Sequence, residues 1–376
     1  MICVRPIFSS SWATAGLASQ SALGARGTAP CGPRVVDAFQ RGASRTAATP
    51  ARNGAQTAYR HSAMTDDGID AIRALLSSKP RPVGWPKRRA RIEDVGSVWP
   101  VADDITLTDV DVDGVPGEWS IAPASDPSRV LVFFHGGGYC SGSIRSHRRM
   151  VTEAGRAAGV RTLAVAYRLA PEYPFPAAYD DAFTVWCFLL RKGIVPACIA
   201  VGGDSAGGGL TIGLINRLRS AEEAQPACAW LPSPWTDLTL SGTTLDTKDN
   251  VDPLIHKAYL QELIDAYLPE SIDRADPRVS PLFADLHGFP PVLIQVGSAE
   301  TLLADATRFA AAAGAADVAV TLEVWPHMIH AWPMWNAHLE EGRRALASAG
   351  AFMRAWLGAS ATTETLVRKE RSGHTR

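Results

Sequence analysis

The hexapeptide Gly203-Asp204-Ser205-Ala206-Gly207-Gly208 constrains this chain more than any other feature. It follows the short apolar run Ile199-Ala200-Val201 and centres on Gly-x-Ser-x-Gly. That is the pattern of a sharp strand-to-helix turn holding a serine hydroxyl above the end of a parallel sheet. The glycines answer a steric demand: the serine sits in a strained backbone conformation, and a Cβ at Gly203 or Gly207 would crowd the adjoining strand or helix. Read alone, the hexapeptide could be a glycine-rich turn that merely contains a serine. The rest of the chain weighs against that reading.

A serine nucleophile needs donors for the oxyanion it creates. The apolar run Arg129-Val-Leu-Val-Phe-Phe134 has the composition of a strand buried in a parallel sheet, and it ends in His135-Gly136-Gly137-Gly138-Tyr139. Consecutive glycines can turn their N–H groups toward a ligand without side-chain obstruction, and the placement matches the His-Gly-Gly-Gly loop of lipases and esterases. The expected donors are Gly136, Gly137 and Ala206, the last at the start of the helix after Ser205.

The serine also needs a base and an acid to orient it, which in this type of fold follow in the order Ser, Asp or Glu, His. The strand Pro291-Val-Leu-Ile-Gln-Val296 runs into Gly297-Ser298-Ala299-Glu300 and puts Glu300 just past a strand end, while Asp305 competes from inside the helix expected over 302–313. The strand over 318–324 leads into Trp325-Pro326-His327-Met328-Ile329-His330-Ala331-Trp332, where His327 and His330 compete. Spacing favours Glu300, and the apolar flanks favour His330 as an imidazole anchored in a packed loop.

These segments, with Tyr167-Arg-Leu-Ala-Pro-Glu-Tyr-Pro-Phe-Pro-Ala-Ala178 and Ser233-Pro-Trp-Thr-Asp237, resemble the hormone-sensitive-lipase family of α/β-hydrolases, the bacterial family IV esterases. The resemblance spans about residues 64 to 357. It implies an α/β-hydrolase fold with a mostly parallel eight-stranded sheet, helices on both faces and a small helical cap. One bacterial branch is similar in carrying Gly-Ser-Ala-Glu before paired leucines and Met-Ile-His around the base, which implies Glu300 and His330 as the partners of Ser205. That branch commonly has Thr where this chain has Asp204, so the chain mixes features of two branches.

Composition is consistent with such a fold. The chain has 376 residues, 46% of them hydrophobic, enough to bury one full α/β core. A net charge of −1 gives no sign of a nucleic-acid surface. No apolar run approaches the roughly 20 residues of a membrane helix. The six cysteines show no zinc spacing. Cys140, Cys187, Cys198 and Cys228 read as reduced core thiols of a cytoplasmic protein, with pocket lining as the alternative for Cys140.

Strands near 130–134, 161–167, 198–203, 229–232, 291–296 and 318–324 alternate with helices, after a hairpin around Asp113-Gly114 and a capped helix from Thr65. The basic run Lys87-Arg88-Arg89-Ala90-Arg91 reads as a solvated face. Residues 241–268 interrupt the alternation and, with the N-terminal helix, are expected to form the cap of a hydrolase domain over 64–358. Residues 1–63 hold seven Arg, no Lys and one acid, Asp37. They read as translated upstream sequence before Met64 or as a transit peptide, disordered in either case. Residues 359–376 read as a polar tail.

The expected activity is hydrolysis of short-chain or small acyl esters through a covalent acyl-enzyme, with no metal or organic cofactor. The expected partner is a small-molecule ester, and a homodimer is compatible with the sequence. A lactone or an N-acetyl amide would use the same triad, whereas a non-catalytic member of the fold leaves the joint presence of Ser205, Glu300 and His330 without a purpose.

Overall fold

An antiparallel hairpin opens the sheet. Strands β1 (Thr106–Val112) and β2 (Val115–Ile121) pair through Asp113 and Gly114, both with positive φ (54° and 90°), the turn geometry that matches strand twist. The Asp111 carboxylate accepts the Gly114 N–H at 2.7 Å and closes the turn. This computed structural model describes residues 67–78, 80–96 and 100–358. The expectations for residues 1–63 and 359–376 lie outside the described residues.

Six further strands follow: β3 (Asp126–Phe134), β4 (Val160–Val165), β5 (Ile199–Gly203), β6 (Cys228–Pro232), β7 (Val292–Gly297) and β8 (Val320–Trp325). The eight form one sheet in the order β1-β2-β4-β3-β5-β6-β7-β8, with β3 to β8 parallel. This is the expected α/β-hydrolase architecture. β3 begins earlier than its apolar core suggested, with a register break between Asp126 and Val130, because only residues from Val130 onward are buried on both faces.

Period-two alternation divides β3 between two cores. Val130, Val132 and Phe134 face the larger cluster, which includes Trp186 of α4 (Ala177–Arg191), Ile212 of α5 (Ala206–Ser220) and Phe309 of α8 (Leu303–Ala315). Leu131 and Phe133 face the other, with Met150 of α3 (Ile144–Ala158) and Met353 of α9 (Glu340–Trp356). Burial on both faces explains why β5 and β6 are continuously apolar and why β7 is broken only by Gln295, whose amide oxygen accepts the Trp230 indole N–H at 2.9 Å. Among the described residues no helix is long and apolar enough to cross a membrane.

Among the described residues four helices lie outside this alternation: α1 (Asp67–Ser77), α2 (Trp85–Gly96), α6 (Thr244–Thr247) and α7 (Lys257–Tyr267). The basic run belongs to α2 and is not simply a solvated face. Arg89 donates to the Cys140 and Ala170 carbonyls at 2.8 and 2.9 Å and pairs with Glu172 at 2.6 Å. Arg88 pairs with Glu262 of α7 at 2.5 Å. Ile69, Ile72 and Leu76 of α1 pack against Met328, Ile329 and Trp332, which clamps the loop carrying His330.

Candidate active site

Ser205 stands between β5 and α5 with φ 54° and ψ −121°, a conformation that costs a non-glycine residue about 1–3 kcal/mol. Its surroundings hold it there: its N–H donates to the Pro232 carbonyl at 3.2 Å, and its carbonyl accepts the Trp235 N–H at 2.9 Å. The flanking glycines are required sterically. A Cβ on Gly203 would lie 2.3 Å from the Gly207 carbonyl oxygen, and one on Gly207 would lie 1.9 Å from that of Phe134.

The glycine loop after β3 corrects one sequence expectation. The Gly136 N–H donates to Asp204 Oδ1 at 2.9 Å, so it is not available to an oxyanion. Gly137 and Gly138 instead line the cavity above Ser205, with φ of 115° and 64° that favour glycine. The sequence does not indicate which of three adjacent N–H groups a carboxylate 68 residues away will engage. Ala206 opens α5, where helix-start N–H groups lack intrahelical partners.

Asp204 is itself held by a buried pair. Its Oδ2 lies 3.3 Å from His147 Nε2, and His147 Nδ1 lies 2.8 Å from Ser146 Oγ. Burial works against the His147 cation, but the Asp204 carboxylate outweighs it and the imidazole is shifted upward. On His135 the Asp204 carboxylate acts too weakly to outweigh burial. Burial, with the neighbouring His147, pushes His135 down to about 3, and the ring stacks on Tyr167 with centroids 4.3 Å apart.

Of the competing acids and bases, the structure pairs Glu300 with His330. Glu300 is fully buried; its Oε2 lies 3.1 Å from His330 Nδ1, and its Oε1 accepts the Gly297 N–H at 3.1 Å. Burial pushes the Glu300 carboxyl up, opposed by the His330 contact. Burial disfavours the His330 cation, yet Glu300 outweighs that effect and the imidazole is shifted above its ordinary value. Asp305 points elsewhere: its Oδ2 accepts the N–H groups of Thr236 and Asp237 at 2.9 and 3.0 Å, and burial pushes it up to about 7. His327 is exposed in a turn, its N–H bound to Ser298 Oγ at 2.8 Å.

Ser233 is a second residue that sequence reasoning passed over. Its hydroxyl oxygen accepts the Ala331 N–H at 3.0 Å, and the side chain also hydrogen-bonds Glu300, so it braces the acid and the histidine loop together. Its only sequence signal was its place in the Ser233-Pro-Trp-Thr-Asp237 segment. Cys140 is fully buried and outside the cavity lining, which leaves it in the core.

Ser205 and His330 line one cavity of about 650 Å³, together with Gly137 and Gly138. Residues of α1 and α2 and residues 249–263 supply most of the remaining wall. A serine held in strain, an imidazole oriented by a carboxylate, and glycines on one cavity wall are the parts expected of an acyl-transfer site.

Comparison with known proteins agrees. The Abhydrolase_3 family profile, described as alpha/beta hydrolase fold, matches residues 131–334. An acetyl-hydrolase of Streptomyces hygroscopicus is 39% identical over 280 residues, covering 74% of this chain and 91% of that protein. An esterase of Acinetobacter venetianus is 38% identical, covering 70% of this chain and 87% of that protein. The crystal structure of an esterase from the bacterial hormone-sensitive lipase family superposes with a TM-score of 0.76 at 40% identity, covering 78% of this chain and 99% of that one.

Proposed function

The chain belongs to the bacterial hormone-sensitive-lipase family of α/β-hydrolases and is a carboxylic ester hydrolase, and on that premise we propose that it cleaves esters of small acyl groups through a Ser205–His330–Glu300 triad. His330 takes the Ser205 proton as the hydroxyl oxygen attacks the ester carbonyl. Glu300 holds Nδ1 protonated, which leaves Nε2 as the base, and stabilises the imidazolium that forms. The N–H groups of Gly137, Gly138 and Ala206 receive the oxyanion. Collapse of this intermediate expels the alcohol with the proton returned by His330, and water then cleaves the acyl-enzyme with His330 again as base.

The observation that carries this reading is the 3.1 Å contact between His330 Nδ1 and Glu300 Oε2, made by a histidine lining the same cavity as the strained serine. Helices α1 and α2 and residues 241–268 act as the cap that closes this cavity and limits acyl size. The test is turnover of p-nitrophenyl acetate by the protein and by its Ser205→Ala and His330→Ala variants. Each substitution, and the two combined, should remove several orders of magnitude, because the residues act as a unit. The acetyl-hydrolase relative favours a second reading, removal of N-acetyl groups by the same triad. Side-by-side rates on acetate esters and acetamides of one alcohol and its amine separate the two.

A further inference from the structure

Four arginines within residues 73–91 line the cavity that contains Ser205: Arg73, Arg81, Arg88 and Arg91. Arg73 reaches Asp70 at 3.4 Å, Arg88 reaches Glu262 at 2.5 Å, and Arg91 donates to the Pro80 carbonyl at 2.6 Å. Arg81 differs from Arg73 and Arg88, which each reach a carboxylate. Its guanidinium lies 3.6 Å above the Tyr259 ring centroid and donates through Nη2 to the Leu254 carbonyl. Among the described residues no carboxylate stands within ion-pair distance of it.

The carboxylates acting on Arg81 from farther away are committed elsewhere. Glu262 holds Arg88, and Asp252 accepts the N–H groups of Leu254, Ile255 and Thr301 at 2.9, 3.0 and 3.0 Å. The other acids of the cavity wall are also engaged: Asp204 by Gly136 and His147, Asp249 by the Lys257 N–H at 2.9 Å and by His256. Arg81 is therefore a half-buried cation facing a ligand cavity without a counter-ion among the described residues. Burial works against its charge and pulls its pKa down. Such a group is costly to keep unless something pairs with it. It is also pre-organised. Pro80 and Pro82 flank it and restrict its backbone, and the Tyr259 face fixes the guanidinium plane.

We infer that Arg81 is a substrate-recognition residue, and that the preferred esters carry a carboxylate at the end remote from the scissile bond. A planar fork with most of its five N–H donors unused by the described residues matches a carboxylate bidentately, and one uncompensated charge calls for one negative charge. The inference rests on the ester-hydrolase reading above. The carboxylate can belong to the acyl or the alcohol half of the ester, and the two arms of the experiment distinguish these.

One arm compares kcat/KM for mono-p-nitrophenyl glutarate with that for its methyl ester; the other compares 4-acetoxybutyrate with its methyl ester. In one arm the carboxylate substrate should be favoured about tenfold or more, chiefly through KM. That ratio should shrink in 0.5 M salt, fall to about one in Arg81→Gln, and recover in part in Arg81→Lys. A ratio at or below one in both arms, or one that Arg81→Gln leaves unchanged, overturns the inference. Calorimetric titration of the Ser205→Ala protein with monomethyl glutarate supplies a readout independent of turnover. A parallel titration with 4-acetoxybutyrate covers the alcohol-half arm; absence of binding in both titrations overturns the Arg81 site, whereas binding without ester turnover by the parent protein removes the hydrolase reading and supports the site.

Discussion

Replacing Glu300 by Gln tests the catalytic assignment most sharply, because it preserves shape and removes only charge and one acceptor. The Glu300 carboxylate now accepts the Gly297 N–H through Oε1 and faces His330 Nδ1 through Oε2, each at 3.1 Å. A Gln amide cannot satisfy both. With its oxygen on Gly297, its NH2 faces Nδ1 and forces the proton onto Nε2, where the ring can no longer act as base toward Ser205. With its oxygen on His330, two donors meet at Gly297 in a fully buried site. Leaving a buried donor unsatisfied costs about 1–3 kcal/mol, and losing a charge-assisted bond to the imidazolium costs about 1.5–3 kcal/mol more. The sum, about 2.5–6 kcal/mol, corresponds to about a 10²- to 10⁴-fold loss of kcat. The assay is kcat against pH on p-nitrophenyl acetate. Activity requires neutral His330, and Glu300 shifts that histidine upward. The acidic limb should therefore rise above the ordinary histidine range in the parent protein and move to lower pH in Glu300→Gln. Retention of kcat within about tenfold with an unmoved limb would refute the reasoning, decisively so if Asp305→Asn removed activity instead.

Three further outcomes are expected. Gly207→Ala drives a Cβ to 1.9 Å from the Phe134 carbonyl oxygen in a central strand, so it should cost about 3 kcal/mol and lower Tm by about 6 °C or more, with kcat falling as the elbow shifts; a melting curve like that of the parent contradicts the packing argument. Asp305 is raised from 3.8 to about 7 in the fold, so its ionisation withdraws up to about 4 kcal/mol of stability as pH climbs from the lower value through the higher. Asp305→Asn keeps an acceptor for Thr236 and Asp237 while its NH2 replaces the unpartnered Oδ1; urea unfolding at pH 4, 7 and 8 should show that decline flattened. Across p-nitrophenyl esters, kcat/KM should rise at about 0.8 kcal/mol per buried methylene, peak between about two and six acyl carbons, and then fall; a profile still climbing beyond about twelve carbons means an open channel.

What the amino-acid sequence determined by itself was local or periodic. Glycines at 203 and 207 follow from the space a strained serine leaves, and continuous apolar runs identify strands buried on both faces. Strand alternation with helices yields the sheet, and chain order together with position relative to the strand ends narrowed the acid and base to two leading candidates each. Those properties depend on neighbours a few residues away, so they are written in the order of the chain. The tertiary structure decided matters that depend on groups brought together from afar. Asp204 takes the Gly136 N–H and leaves Gly137 and Gly138 at the cavity. Ser233 ties Glu300 to the loop of His330 across 98 residues. Arginines of α2 that read as a solvated face engage Glu172 and Glu262, and Arg81 meets Tyr259. A hydrogen-bond donor or a cation has no partner encoded beside it in sequence; its partner is whichever group packing brings within about 3 Å, and that is settled only when the sheet and its covering helices close on one another.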